Sequence, residues 1–172
     1  MQRKFFIIGS PGSGKSTVVL KVIEQLKLRR LTVGGIVTPE LRVKGERVGF
    51  KVVDVFSGRE EILASVDIQT GPRVGKYMVN VEGFESVALP ALDYALTACD
   101  LICIDEVGRM EFFSEKFIQK VNEVIRSEKF LIATLHRNYV DSYRKFGTVM
   151  QVTPDNRDTI INRLISTILE KD

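Results

Sequence analysis

The segment that most constrains the fold is a glycine-rich octapeptide near the start of the chain, Gly9-Ser10-Pro11-Gly12-Ser13-Gly14-Lys15-Ser16. It matches the pattern G-x-x-x-x-G-K-[ST], in which glycines let backbone N–H groups approach phosphate oxygens closely. The apolar run Lys4–Ile8 precedes it, and apolar residues at three- and four-residue spacing follow from about Lys15. Since a strand, this turn and a helix are the context in which the pattern binds phosphate, we predict an α/β fold with a phosphate-binding loop.

Individual side chains of this loop have expected roles on a triphosphate. Lys15 supplies an ammonium for the β and γ phosphates, the Ser16 hydroxyl is a ligand for Mg²⁺, and Thr17 contacts the α phosphate. The alternative is a glycine turn that only joins a strand to a helix, which requires neither the lysine nor the hydroxyl. The predicted nucleotide-binding residues of this segment are Gly9, Ser10, Pro11, Gly12, Ser13, Gly14, Lys15, Ser16 and Thr17.

Apolar strand-like runs alternate with helical stretches along the chain, which indicates a mostly parallel central sheet flanked by helices. Pro90 is expected at a helix start or kink rather than in a helix interior. Further strands are expected at 32–38, 101–104, 130–134 and 149–152, and further helices at about 82–98, after Ser114 and from Thr153-Pro154-Asp155.

One part of the chain departs from this alternation. Residues 48–56 and 61–66 have the pattern of strands, and turn residues lie between and before them. We therefore predict a small antiparallel β insertion within the α/β fold. A linker containing Gly71-Pro72 and Gly75 is expected after it.

Composition narrows the class of protein. The 172 residues are 44% hydrophobic and 27% charged, values typical of one globular domain, which we expect to span residues 1–172. A net charge of +3 without a long basic run argues against a nucleic-acid partner. No apolar run approaches a membrane span and no signal-peptide pattern is present, so a cytoplasmic location, without a membrane partner, is expected. We also expect a monomer.

A second candidate site follows the run Leu101–Ile104, where Asp105 and Glu106 end a buried strand. A phosphate-loop enzyme needs an acid near the metal, normally on a strand beside the first. Asp105 is expected to hold Mg²⁺, and Glu106, pointing elsewhere, to orient or deprotonate the attacking water. The alternative for the pair alone is a solvated strand end.

Weaker candidates lie beyond these acids. Arg109 is expected to neutralise charge on the γ phosphate during transfer, with a surface ion pair to Glu111 or Glu115 as the alternative. The hydroxyl of Thr134 is expected near the γ phosphate. His136 and Arg137 are loop residues more typical of solvated side chains, and Arg157 approaches the base or phosphates or else pairs with Asp155 or Asp158.

Six segments follow one another in order along nearly the whole chain: 9–16, 38–42, 48–50, 75–81, 105–114 and 153–158. Together they resemble the P-loop nucleoside-triphosphatase family that includes cancer-related nucleoside-triphosphatase. The resemblance implies a RecA-like fold and Mg²⁺-dependent hydrolysis of ATP, GTP, CTP or UTP to the diphosphate and phosphate. It extends nucleotide binding to Leu101, Ile102, Cys103, Ile104 and Asp105, and it makes Glu106 the candidate for water activation.

Other activities remain open from the sequence. A small-molecule kinase would use the same loop, but such enzymes usually carry an arginine-rich lid, whereas the insertion here is β-rich and precedes the acidic strand. A nucleotide switch or an RNA-associated module is a third possibility. The chain lacks an Asn-Lys-x-Asp segment of the kind that reads guanine, which predicts broad base specificity.

Overall fold

A computed structural model describes residues 2–170; residues 1, 171 and 172, which the single-domain expectation includes, lie outside the described part. The strands are β1 (Lys4–Ile8), β2 (Val33–Val37), β3 (Glu40–Val43), β4 (Glu46–Asp54), β5 (Glu60–Ser65), β6 (Arg73–Val74), β7 (Tyr77–Val79), β8 (Leu101–Val107), β9 (Phe130–Leu135) and β10 (Thr148–Gln151). The helices are α1 (Lys15–Leu28), α2 (Val81–Ala98), α3 (Glu115–Arg126), the short α4 (Val140–Tyr143) and α5 (Arg157–Leu169).

The strands form one twisted sheet in two parts. Five are parallel, in the order β10-β1-β9-β8-β2, and the antiparallel strands β4, β5, β7 and β6 continue the sheet beyond β2, with β3 paired to β4. The predicted α/β fold with an antiparallel insertion is confirmed. The insertion is larger than expected, because β3, β6 and β7 arise in segments interpreted as turn and linker.

The sequence analysis expected the strand that ends in Asp105 to lie beside β1, which leads into the glycine-rich loop. In the structure the two strands are not neighbours. β9 pairs with both, since Ile7 is opposite Thr134 and Ile104 is opposite Ala133. The end of β9 therefore lies between the glycine-rich loop and Asp105. This order gives Thr134 a place at the centre of the site.

Hydrophobic packing covers both faces of the sheet. On one face α1 and α5 contribute the buried residues, and on the other α2 and α3 do so, together with α4. The apolar stripe predicted for α1 is buried as expected and comprises Val18, Val19, Val22, Ile23 and Leu26. Among residues 2–170, no helix combines the length and apolar character that crossing a membrane requires.

Two predicted helix features are wrong. Pro90 lies inside α2, on its exposed face, where water can satisfy the carbonyl that the missing N–H leaves free, while buried side chains on both sides keep the helix packed. Helix α5 begins at Arg157 rather than at Thr153. Asn156 turns its side chain back, accepting the Thr153 N–H at 2.8 Å and donating to the Gln151 carbonyl at 2.8 Å, so a turn precedes the helix.

Candidate active site

The glycine-rich loop joins the end of β1 to the start of α1. Gly12 and Gly14 have φ values of 78° and 101°, a left-handed conformation that side chains disfavour. Lys15 folds back along the loop, and its Nζ donates to the Gly9 carbonyl at 2.8 Å. The loop therefore has the backbone shape and the cation that phosphate binding requires.

Asp105 lies at the end of β8 and is nearly buried, with 9% of its surface exposed. The fully buried Thr134 hydroxyl donates to its Oδ1 at 2.6 Å, and the Ser16 hydroxyl lies near enough to this carboxylate to lower its pKa. Burial raises the pKa of Asp105, whereas the two hydroxyls and the Lys15 ammonium act in the opposite direction. Ser16, Asp105 and Thr134 together link the start of α1, β8 and β9 in one oxygen-rich cluster.

Glu106 is half-buried beside this cluster, and among residues 2–170 no hydrogen bond to its carboxylate is formed. Burial and the neighbouring Asp105 raise its pKa, which makes the carboxylate a better proton acceptor than an exposed glutamate. Asp105 and Glu106 were expected to point in different directions, but both line the same cleft; of the two, Asp105 is the one that accepts the Thr134 hydroxyl.

Glu111 is a buried acid that the sequence analysis treated only as a surface partner for Arg109. It is 3% exposed, in the short 3₁₀ turn Glu111–Phe113, and burial and Glu106 raise its pKa well above the usual range. A Cβ on Gly108 would lie 2.8 Å from Glu106 Oε1 and 3.1 Å from Glu111 Oε1, so the two carboxyl groups flank the same glycine. The spacing Asp-Glu-x-Gly-x-Met-Glu was the available signal.

A cleft of about 390 Å³ joins these groups. The loop, Asp105, Glu106 and Glu111 line one side, and the antiparallel strands supply the other. Arg109 is exposed at the cleft and, within the described residues, makes no ion pair with Glu111 or Glu115. The residues lining the cleft are Pro11, Gly12, Lys15, Ser16, Thr38, Glu40, Arg47, Phe50, Leu63, Val74, Asp105, Glu106, Arg109, Met110, Glu111 and His136.

The remaining predicted residues are placed differently. The side chains of Leu101–Ile104 are fully buried in the hydrophobic cores and do not line the cleft. Their contribution is to hold the strand that positions Asp105. His136 borders the cleft, and its Nδ1 accepts the Asn138 N–H at 3.2 Å; burial and nearby cations lower its pKa. Arg137 is exposed. Arg157 lies outside the cleft, against the other side of the loop.

A parallel sheet with this loop between its first strand and first helix defines the class of P-loop proteins, and known structures agree. The crystal structure of THEP1 from Aquifex aeolicus is similar with a TM-score of 0.85 and 33% identity, covering 98% of this chain and 99% of that one. The solution structure of a human cancer-related nucleoside triphosphatase is similar with a TM-score of 0.81 and 32% identity, covering 99% and 100%.

Sequence comparison narrows the class to a family. The model of the family described as NTPase matches residues 4–165. The nucleoside-triphosphatase THEP1 of Methanothermobacter thermautotrophicus is 46% identical over 164 residues, 94% of each chain, and that of Pyrococcus abyssi is 42% identical over 165 residues, 96% of this chain and 92% of the relative. The chain belongs to this NTPase family, and the resemblance stated from the sequence is confirmed.

Proposed function

We propose that this protein hydrolyses nucleoside 5′-triphosphates to the diphosphate and phosphate, with water as the acceptor. The observation that carries the proposal is the meeting of three groups in one cleft: the loop with Lys15, the Ser16–Asp105–Thr134 cluster and the free carboxylate of Glu106. The relatives named as nucleoside-triphosphatases support the same reaction.

Binding of the triphosphate falls to the loop and to the start of α1. Backbone N–H groups of Gly12 to Ser16 and the positive end of the helix favour the phosphates, and the Lys15 ammonium is within reach of the β and γ groups. Such donors are fixed by the fold, so little reorganisation is needed as charge develops on the γ phosphate.

Magnesium is the metal that the site residues fit. Hydroxyl and carboxylate oxygens are its preferred ligands, and in nucleotide enzymes it uses few protein groups and completes its shell with phosphate oxygens and water. Ser16 and Asp105 would hold it. Among residues 2–170 no group of three or more His, Cys, Asp and Glu side chains forms a ligand set, in keeping with a site shared with substrate. When bound, Mg²⁺ neutralises phosphate charge.

Glu106 is the proposed general base. Its carboxylate faces the cleft without a competing hydrogen bond, and its raised pKa brings it closer to the value that suits proton abstraction at neutral pH. Arg109 is proposed to compensate charge on the γ phosphate, because its guanidinium borders the cleft and has no ion-pair partner among the described residues. Kinase activity is not favoured, since the relatives are named as nucleoside-triphosphatases.

The remaining properties are proposed as follows. ATP, GTP, CTP and UTP all serve as substrates, because no guanine-reading segment is present. Residues 1–172 act as one monomeric domain, supported by the single sheet that carries both the loop and the insertion. The location is cytoplasmic, supported by Cys99 and Cys103, which are both buried and unpaired as expected in a reducing compartment. We propose no membrane partner and no nucleic-acid partner; the net charge of only +3 argues against the latter.

The proposal is tested by measuring phosphate release from the four triphosphates with and without Mg²⁺. Lys15→Ala removes the loop cation, and Lys27→Ala, an exposed lysine in the last turn of α1, is the matched control. We expect release from all four substrates that requires Mg²⁺, is abolished by Lys15→Ala and is unchanged by Lys27→Ala. Equal release by wild type and Lys15→Ala would show that this site does not hydrolyse nucleotides.

A further inference from the structure

Arg157 is a cation beside the glycine-rich loop that the proposed mechanism does not use. It is the first residue of α5, and its guanidinium lies against Gly14, where a Cβ would stand 2.8 Å from Nε and 3.0 Å from Cζ. Packing of α5 on α1 through the shared hydrophobic core fixes this position. The side chain is therefore held at the loop by the fold.

The guanidinium has no protein partner there. Within residues 2–170 its Nε is buried without a hydrogen bond, and no ion pair forms with Asp155 or Asp158, the partners considered from the sequence. A buried donor without an acceptor costs free energy, and an arginine cannot lose its charge to avoid that cost. Such an arrangement points to an anionic acceptor from outside the protein.

The position of Arg157 defines which part of a nucleotide it meets. It does not line the cleft that contains Glu106 and Arg109, where the γ phosphate is proposed to react. It lines a separate groove of about 300 Å³ beside Thr17, on the other side of the start of α1. The groove is lined by Thr17, Lys21, Pro154, Asp155, Arg157, Asp158 and Ile161.

We infer that Arg157 contacts the α phosphate of the bound nucleotide and that this groove receives the ribose and base. A guanidinium suits phosphate because it offers parallel N–H donors to two oxygens. The inference rests on the proposed nucleotide binding, and it makes Arg157 a ground-state binding residue rather than one that acts on the γ phosphate.

The test measures the affinities of ADP, GDP, CDP and UDP by calorimetry for wild type, Arg157→Gln, Arg157→Lys and Arg163→Gln. Arg163 is an exposed arginine of the same helix, so its variant matches the charge change without touching the groove. Because a hydrogen bond to a charged group is lost, we expect Arg157→Gln to weaken all four diphosphates by about 10- to 100-fold. Arg157→Lys should lose less diphosphate affinity than Arg157→Gln, and Arg163→Gln should change it by less than about twofold. The effect of Arg157→Gln should fall on KM, with kcat at saturating triphosphate within about threefold of the wild-type value.

Three results would overturn the inference. The first is that Arg157→Gln binds the diphosphates with affinities within about twofold of wild type. The second is that its loss of affinity differs strongly between the four bases. The third is that nucleotide-free Arg157→Gln has a lower Tm than wild type, which would indicate a structural role. Removal of an unpartnered buried donor should instead leave that Tm unchanged or raise it. The proposed hydrolysis fails separately: a wild type that binds diphosphates but releases no phosphate leaves the role of Arg157 intact.

Discussion

Replacement of Glu106 by glutamine removes the proposed general base with little change in shape. The amide keeps the size of the side chain but loses its negative charge and its ability to take a proton. Since the Glu106 carboxylate has no hydrogen bond within residues 2–170, the substitution breaks no contact that holds the loop or the cleft together. Folding and nucleotide binding should therefore survive the change.

The expected magnitude follows from the environment of the carboxylate. General-base catalysis contributes about 10²- to 10⁴-fold, and the raised pKa of this half-buried group favours a substantial contribution. A loss of that size raises the barrier by about 2.7–5.5 kcal/mol. Asp105 raises the pKa of Glu106, and Glu106 and Asp105 both raise the pKa of Glu111. Removing the Glu106 charge should therefore also raise the Tm of the nucleotide-free protein above neutral pH.

The assay combines phosphate release at saturating ATP and Mg²⁺ with ADP affinity by calorimetry. We expect Glu106→Gln to lower kcat by about 10²- to 10⁴-fold and to keep the ADP affinity within about threefold of wild type. Glu115→Gln, at an exposed position in the first turn of α3, is the charge-matched control and should turn over normally. A Glu106→Gln kcat within a few-fold of wild type would remove this residue from the mechanism.

Three further substitutions test other parts of the structure. Thr134→Val deletes a 2.6 Å hydrogen bond to the buried Asp105 carboxylate. At pH 8 it should therefore lower the free energy of unfolding by about 1.5–3 kcal/mol, and it should move the acid limb of the kcat/KM profile to higher pH. Thr134→Ser keeps the hydroxyl and should do neither, so identical pH profiles for the two variants would contradict this prediction. The pKa of Glu111 is higher in the folded than in the unfolded protein, so its ionisation destabilises the fold as pH rises. The Tm of Glu111→Gln should match that of wild type near pH 4 and exceed it increasingly toward pH 8. A Tm difference that stays constant with pH would refute the raised pKa. Gly35→Ala places a Cβ inside the van der Waals radius of the Cys103 carbonyl oxygen and should prevent folding, which circular dichroism would detect. Gly45→Ala, with φ 80° and open space, should cost about 1–3 kcal/mol.

The parts of the fold that the sequence predicted are those set by local pattern. Helix α1, the parallel strands and the insertion follow from hydrophobic spacing and from turn residues, and the glycine-rich loop followed from its own motif. Pro90 was misjudged because propensity describes an isolated helix, whereas tertiary packing holds α2 together on both sides of an exposed proline. The start of α5 was misjudged because the side chain of Asn156 closes a turn that no pattern of hydrophobicity records.

The site was predicted as far as its residues are adjacent in sequence. Lys15, Ser16, Asp105 and Glu106 came from short motifs and do meet in one cleft. Strand order is a non-local property, so the position of β9 between the two motif-bearing strands, and with it the contact of Thr134 with Asp105, needed the structure. The burial of Glu111 likewise depends on side chains distant in sequence.

The central claim is that water attacks the γ phosphorus of a nucleoside triphosphate bound at this site. Hydrolysis of ATP in ¹⁸O-labelled water, followed by mass spectrometry of both products, tests it directly. The account predicts one labelled oxygen in the released phosphate, none in ADP, and no labelled phosphate from Lys15→Ala. Label in ADP, or equal labelling of phosphate by Lys15→Ala and wild type, would contradict it.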